Sequence, residues 1–88
     1  MTQPPLMRIL EAALLSSNKP LGLERLKELF EPEQLPDNDH LRAALAALAE
    51  SYQDSSIQLI EVAGGWRLQV RAEYMPWVSR LWEERHQR

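Results

Sequence analysis

Between Ile57 and Arg71 the chain reads IQLIEVAGGWRLQVR, two short arms rich in β-branched and aromatic residues around Ala63-Gly64-Gly65. Such residues favour extended backbone, and the glycines supply the positive φ that a tight reversal requires. The stretch predicts a β-hairpin, with helical patterns on both sides of it. Its register has two solutions. A three-residue loop with Gly65 in the left-handed position pairs Val62 with Trp66, Glu61 with Arg67 and Ile60 with Leu68. A two-residue Gly64-Gly65 loop opposes Glu61 to Leu68 and sets Leu59 beside Val70. A slip of one residue turns a whole strand over, so the pattern leaves both open.

Before the hairpin, Leu6, Ile9, Leu10, Ala13 and Leu14 recur at i, i+3, i+4, i+7 and i+8, the spacing of one buried helical face. Pro5 suits the first turn, and Pro20 prevents the helix from continuing. A second helix starts near Leu23, with Leu23, Leu26, Leu29 and Phe30 as its apolar face and Pro32 as its stop. Residues 32–39 read as a surface loop. Asp37, Asn38 and Asp39 are each competent N-caps for a third helix, which carries Leu41, Ala44, Leu45, Leu48 and Tyr52 on one face. After the hairpin, Tyr74, Trp77, Val78, Leu81 and Trp82 repeat the helical spacing, with Pro76 in the first turn, and the polar tail from Glu83 is expected to fray. Three helices, a hairpin and a closing helix predict an α+β fold of the winged-helix type.

Eighty-eight residues make one small domain that buries about 60–65% of its unfolded surface, which leaves little room for a deep catalytic cleft. With no cysteine, neither a disulfide framework nor a thiolate metal site is available. The N-terminal MTQPPLMRIL lacks a basic segment ahead of a long apolar run, and no stretch approaches the roughly 20 apolar residues of a membrane span. A soluble, cytoplasmic protein is expected. Charge is uneven: residues 1–61 hold 5 Lys/Arg against 10 Asp/Glu, whereas residues 62–88 hold 5 against 3. An acidic body with a mildly basic end is not the footprint of a phosphate-backbone binder.

Catalytic chemistry finds no foothold. His40 and His86 have no partners at metal-ligand spacing, and His40 beside Asp39 reads as a solvated surface histidine. Gly64-Gly65 lies between strands, not before a helix, so no phosphate loop is present. Ser16, Ser17, Ser55 and Ser56 read as cap and turn residues, and the adjacent Glu83 and Glu84 point in different directions. No enzyme and no cofactor are expected. The sharper rival is a winged-helix DNA-binding transcription regulator, whose third helix would enter the major groove. Here that helix opens with PDNDHLR and continues AALAALAE, offering methyl groups where Arg, Asn or Gln would read base edges. Arg67 and Arg71 on the wing are available for phosphates, but two arginines are ordinary on a solvated hairpin.

The aromatic stripe of the last helix has two readings. The default is that most of it closes the core over the hairpin. The alternative is that a domain this small leaves part of it exposed as a protein interface, with Trp82 the residue expected outside.

Taken together, ILEAALLSSNKPLGLERLKELF, LRAALAALAESYQ and IQLIEVAGGWRLQVRAEYMPWVSRLW resemble the N-terminal half of the segregation and condensation protein B family, over about Met7 to Trp82. The hairpin with its following Glu73-Tyr74 and Trp77, and the Lys19-Pro20-Leu21 turn into LERL, are the most specific parts. The resemblance implies an accessory subunit of the bacterial structural-maintenance-of-chromosomes (SMC) condensin complex, acting in chromosome condensation and segregation. It implies two winged-helix domains, a homodimer formed largely through the first, and binding to the kleisin subunit, segregation and condensation protein A. Contact with the SMC ATPase would run through the kleisin, with no specific DNA contact and no membrane. A second winged helix has no counterpart in these residues, so the chain is expected to be an N-terminal half. Gly22 stands where the family often has a serine N-cap. The family offers no short motif to transfer, so the interface residues are chosen by exposure and chemistry: Tyr74, Trp77, Leu81 and Trp82 for self-association, with Trp66 and Arg67 of the wing as a secondary patch.

Overall fold

The apolar faces predicted from spacing become the core. The computed structural model describes residues 3–82. Helix α1 (Leu6–Ser16) begins at Pro5, whose carbonyl accepts hydrogen bonds from the Arg8 and Ile9 amides at 3.0 and 3.2 Å. Leu10 and Leu14 are its buried residues, with Leu6 and Met7 packed alongside. In the turn after it, the Ser17 hydroxyl accepts from the Lys19 amide and donates to the Lys19 carbonyl, holding the chain at Pro20.

Helix α2 is only Leu23–Lys27, capped by Gly22, with Leu26 fully buried. It stops a turn earlier than the spacing predicts. The Glu28, Leu29 and Phe30 amides bond to carbonyls three residues back, so the chain tightens out of the α-helix after Lys27. Phe30 still packs on the core, but Leu29 is 47% exposed. Within the predicted loop, Pro32–Gln34 form a single 3₁₀ turn.

Helix α3 (Asn38–Ser51) is capped by Asp37, one of the three residues competent for the role. Its carboxylate accepts from the His40 amide at 2.8 Å, satisfying one of the orphan donors of the first turn. Leu41, Leu45, Leu48 and Tyr52 are buried and complete one cluster with Leu10, Leu14 and Leu26.

Strands β1 (Ile57–Val62) and β2 (Gly65–Val70) pair antiparallel in a third register, which neither predicted loop allows. Val62 opposes Gly65, Glu61 opposes Trp66, Ile60 opposes Arg67 and Leu59 opposes Leu68. The loop is Ala63-Gly64, with positive φ at Gly64 (101°) and none at Ala63. Packing explains the choice. This register puts Ile57, Leu59, Trp66 and Leu68 on one face, and all four pack against the helical core.

A contact with no strand pattern in sequence fixes the hairpin to the helices. Leu21 forms an isolated antiparallel bridge with Trp66, the amide of each donating to the carbonyl of the other at 2.9 Å. The wing is therefore braced from the segment between α1 and α2. Gly65 makes the approach feasible: a Cβ there would lie 2.2 Å from the Leu21 carbonyl atoms, and its φ is 133°. Helices α1, α2 and α3 around a leucine core, with this hairpin on one side, constitute a winged helix.

The closing segment departs from expectation. In place of one helix it runs through a 3₁₀ turn (Ala72–Tyr74), a four-residue helix α4 (Met75–Val78) and a second 3₁₀ turn (Ser79–Leu81). Pro76 does fall in the first turn of α4. The polar tail from Glu83, and His86 with it, lies outside the described residues.

Candidate protein-interaction surface

Three surfaces bear on what the domain does: the outer face of α3, the wing, and the closing segment. On α3, Asn38, Asp39, Arg42, Ala43, Ala46, Ala47 and Glu50 are exposed. Arg42 does not project freely, because its guanidinium carbon lies 5.7 Å from the centre of the Trp66 ring, a cation–π distance. That leaves mainly methyl groups and carboxylates where a DNA-reading helix presents long polar side chains.

The wing uses its arginines differently from the sequence expectation. Arg71 is not available for phosphates. It donates from Nη2 to the Tyr52 carbonyl at 2.7 Å and from Nε to the Ser55 carbonyl at 2.8 Å, while its amide donates to Ser56. A cation thus closes the C-terminal end of α3, where carbonyls without intrahelical partners concentrate. Arg67 is exposed, and its neighbour Trp66 is half-buried against the core. The two members of the predicted secondary patch therefore stand in different environments.

On the closing segment, the reading that the stripe closes the core does not hold. Tyr74 is 38% exposed, Trp77 69%, Leu81 80% and Trp82 70%. Trp82 is outside as expected, but so are the others. Met75 and Val78 are the half-buried residues, and they turn toward the wing. The cause is geometric: the 3₁₀ turns shift the angular position of each side chain, and Met75 and Val78 share a cleft with Arg67 and Gln69, which stand on the face of the hairpin opposite Leu59 and Leu68.

Away from these surfaces, Tyr52 ties α3 to α1 by donating to the Glu11 carboxylate, which also accepts from Arg8 at 2.9 Å. Burial first, then the Glu11 carboxylate, push the Tyr52 hydroxyl up to about 12. The Tyr52 hydroxyl, then Arg8, hold the Glu11 carboxyl below the usual carboxylate range. The His40 amide, followed by its ring, likewise holds the Asp37 carboxyl low. Each shift has a structural cause in a cap or an interhelix contact. His40 is exposed and its Nδ1 lies 2.8 Å from Asp37. No group of three or more His, Cys, Asp or Glu converges on a metal-sized site among the described residues, and no described helix is long and apolar enough to cross a membrane.

A fold of this kind is shared by many unrelated proteins, so the sequence must decide the family. The family model for segregation and condensation complex subunit ScpB matches residues 8–88. The chain belongs to the ScpB family. Among curated relatives of the family, a segregation and condensation protein B homolog of Coxiella burnetii is 39% identical over 77 residues. Those residues are 88% of this chain but only 37% of that protein, so the chain spans little more than a third of its relative's length. Among solved structures, ScpB from Mycobacterium tuberculosis superposes with a TM-score of 0.76 at 29% identity, over 92% of this chain and 51% of that one. A dimer of an ScpB N-terminal domain, solved in complex with an ScpA peptide, also matches with a TM-score of 0.76. There the identity is 22%, over 91% of this chain and 94% of that one, a likeness of fold.

Proposed function

We propose that this chain is the N-terminal winged-helix module of a non-enzymatic accessory subunit of the bacterial SMC condensin complex. In this reading it dimerises and binds the kleisin ScpA, and reaches the SMC ATPase through it, in the cytoplasm at the nucleoid. Any ATP is hydrolysed by the partner. The observation that carries the reading is family membership over residues 8–88, joined to a fold matching nearly the whole of an ScpB N-terminal domain that was solved as a dimer with an ScpA peptide. Two features support protein contacts over DNA. The outer face of α3 is alanine-rich and acidic, and Arg42 and Arg71 are engaged within the domain. Self-association falls to Tyr74, Trp77, Leu81 and Trp82, with Arg67 and the edge of Trp66 as a secondary contact.

The deciding experiment is a calorimetric titration of the chain with the kleisin of the same organism at moderate salt. Saturable binding that changes little between low and high salt is the expected outcome. Absence of kleisin binding, combined with duplex binding that weakens steeply with salt through counterion release, would transfer the domain to the DNA-binding class.

A further inference from the structure

We propose that the outer edge of β1 is a strand-addition site, at which an extended segment of the kleisin pairs with Leu59 and Glu61 and seats its side chains in the groove along α3. This rests on the reading that the domain binds the kleisin, and adds where and how.

The register decides which backbone groups point outward. Val62 and Gly65 flank a two-residue loop, so that pair exchanges hydrogen bonds, and at every second position so do Ile60 with Arg67 and Gln58 with Gln69. Two contacts outside the strands agree with this alternation. The Arg71 amide donates to the Ser56 carbonyl at the open end, and the Trp66 amide and carbonyl turn away from β1 to Leu21. By the same alternation the amides and carbonyls of Ile57, Leu59 and Glu61 point away from β2. The Ile57 amide donates to the Ser55 hydroxyl at 3.1 Å. The amides and carbonyls of Leu59 and Glu61 meet no hydrogen-bonding partner among the described residues.

An unpaired edge of this kind is complementary to another extended backbone, and folded domains ordinarily guard it with lysine, proline or a bulge. IQLIEV contains neither lysine nor proline, and its pairing with β2 runs without a bulge from Ile57 to Val62. Beside the edge, Leu59 and Glu61 share a groove of about 270 Å³ with Arg42, Ala46, Ala49 and Trp66. Positions 42, 46 and 49 fall at i, i+4 and i+7, so one stripe of α3 faces the edge, and alanine makes most of it. An added strand lies about 4.8 Å from β1, and its alternate side chains turn toward this stripe, where alanine leaves them room. Arg42 lies over the Trp66 ring, whereas exposed Glu61 has no ion pair among the described residues. The segment that fits is extended, apolar toward α3, without proline at the paired positions, and carries Lys or Arg beside Glu61.

The test is amide hydrogen exchange of the chain, alone and saturated with the kleisin of the same organism, together with calorimetry of two variants. Glu61→Pro removes an outward amide but no bond within the hairpin, the one setting in which a strand tolerates proline. Ala46→Trp fills the groove from an exposed helix position and leaves the backbone untouched. Circular dichroism melting checks that each variant folds, and if the proline variant does not, Ala46→Trp and the exchange data decide. The Leu59 and Glu61 amides should exchange fast in the free chain and become protected on binding, and each variant should lower kleisin affinity about tenfold or more, as loss of a central contact does. Kleisin binding that leaves both amides fast, or that is indifferent to the variants, sinks strand addition and leaves the function standing. A parent that does not bind the kleisin sinks both readings. Protection of the two amides that grows with chain concentration in the absence of kleisin assigns the edge to a second copy and overturns the proposal.

Discussion

Replacing Gly65 by alanine tests the point on which the wing's attachment depends. A Cβ there would sit 2.2 Å from the carbonyl carbon and oxygen of Leu21 and 2.4 Å from the Gly22 nitrogen. All three are backbone atoms, so no side-chain rotation relieves the overlap, and Leu21 must separate from the wing. The bridge to Trp66 then loses two hydrogen bonds of 2.9 Å, each with a net value of about 0.5–1.5 kcal/mol. Forcing alanine to a φ of 133° costs a further 1–3 kcal/mol or so. Together these give a loss of about 2–6 kcal/mol, a large share of the roughly 4–13 kcal/mol expected for a domain of this size. The melting temperature should fall by about 8 °C or more. Gly64→Ala is the control, since its φ is 101° but nothing lies within 4 Å of the added Cβ. It should cost about 1–2 kcal/mol, the strain alone. Urea unfolding of both variants, read at constant m, measures the difference. Equal losses at the two positions would refute the close approach of Leu21 to β2.

Arg71→Ala should destabilise by about 2–4 kcal/mol, because it leaves the Tyr52 and Ser55 carbonyls without their charged donor; Arg71→Lys should recover less than half of that, lacking the fork that reaches both. Stability against pH should show both ends of the Tyr52–Glu11 contact. The Glu11 value is lower in the folded state, so its contribution is complete above the ordinary carboxylate range and is lost as pH falls through the lowered value; Glu11→Gln should flatten that acid limb. The Tyr52 value is raised, so its contribution is complete below pH 10 and is lost as pH rises through about 12; Tyr52→Phe should flatten the alkaline limb. Trp77→Ala should change the urea midpoint by no more than about 0.5 kcal/mol equivalent, since the residue is 69% exposed.

The core was legible before the structure because helical burial is written locally. Leu10, Leu14, Leu26, Leu41, Leu45, Leu48 and Tyr52 each stand at the predicted spacing, and the cap at Asp37 follows from the side chain's reach to an amide three residues on. Leu29 and the closing stripe misled for a common reason. Periodicity says which residues would share a face if a helix continued, but not where it stops. In both places the chain tightens into 3₁₀ bonding within a turn or two, leaving side chains outside that an unbroken helix would turn inward.

The hairpin separates the two sources of information most clearly. Its existence, and the need for glycine at the turn, are local properties of β-branched residues and of φ, and the amino-acid sequence determined them. Its register was decided elsewhere. The backbone of Leu21, more than 40 positions earlier in the chain, pairs with Trp66, and the core accepts Leu59 and Leu68 together on one face. The sequence likewise determined which residues are aromatic at the C-terminal side, and tertiary packing alone decided that Trp77 and Leu81 face outward while Met75 and Val78 turn to the wing. Local preferences act over a few residues, whereas strand pairing and the side a short helix presents depend on partners brought together only when the chain has folded.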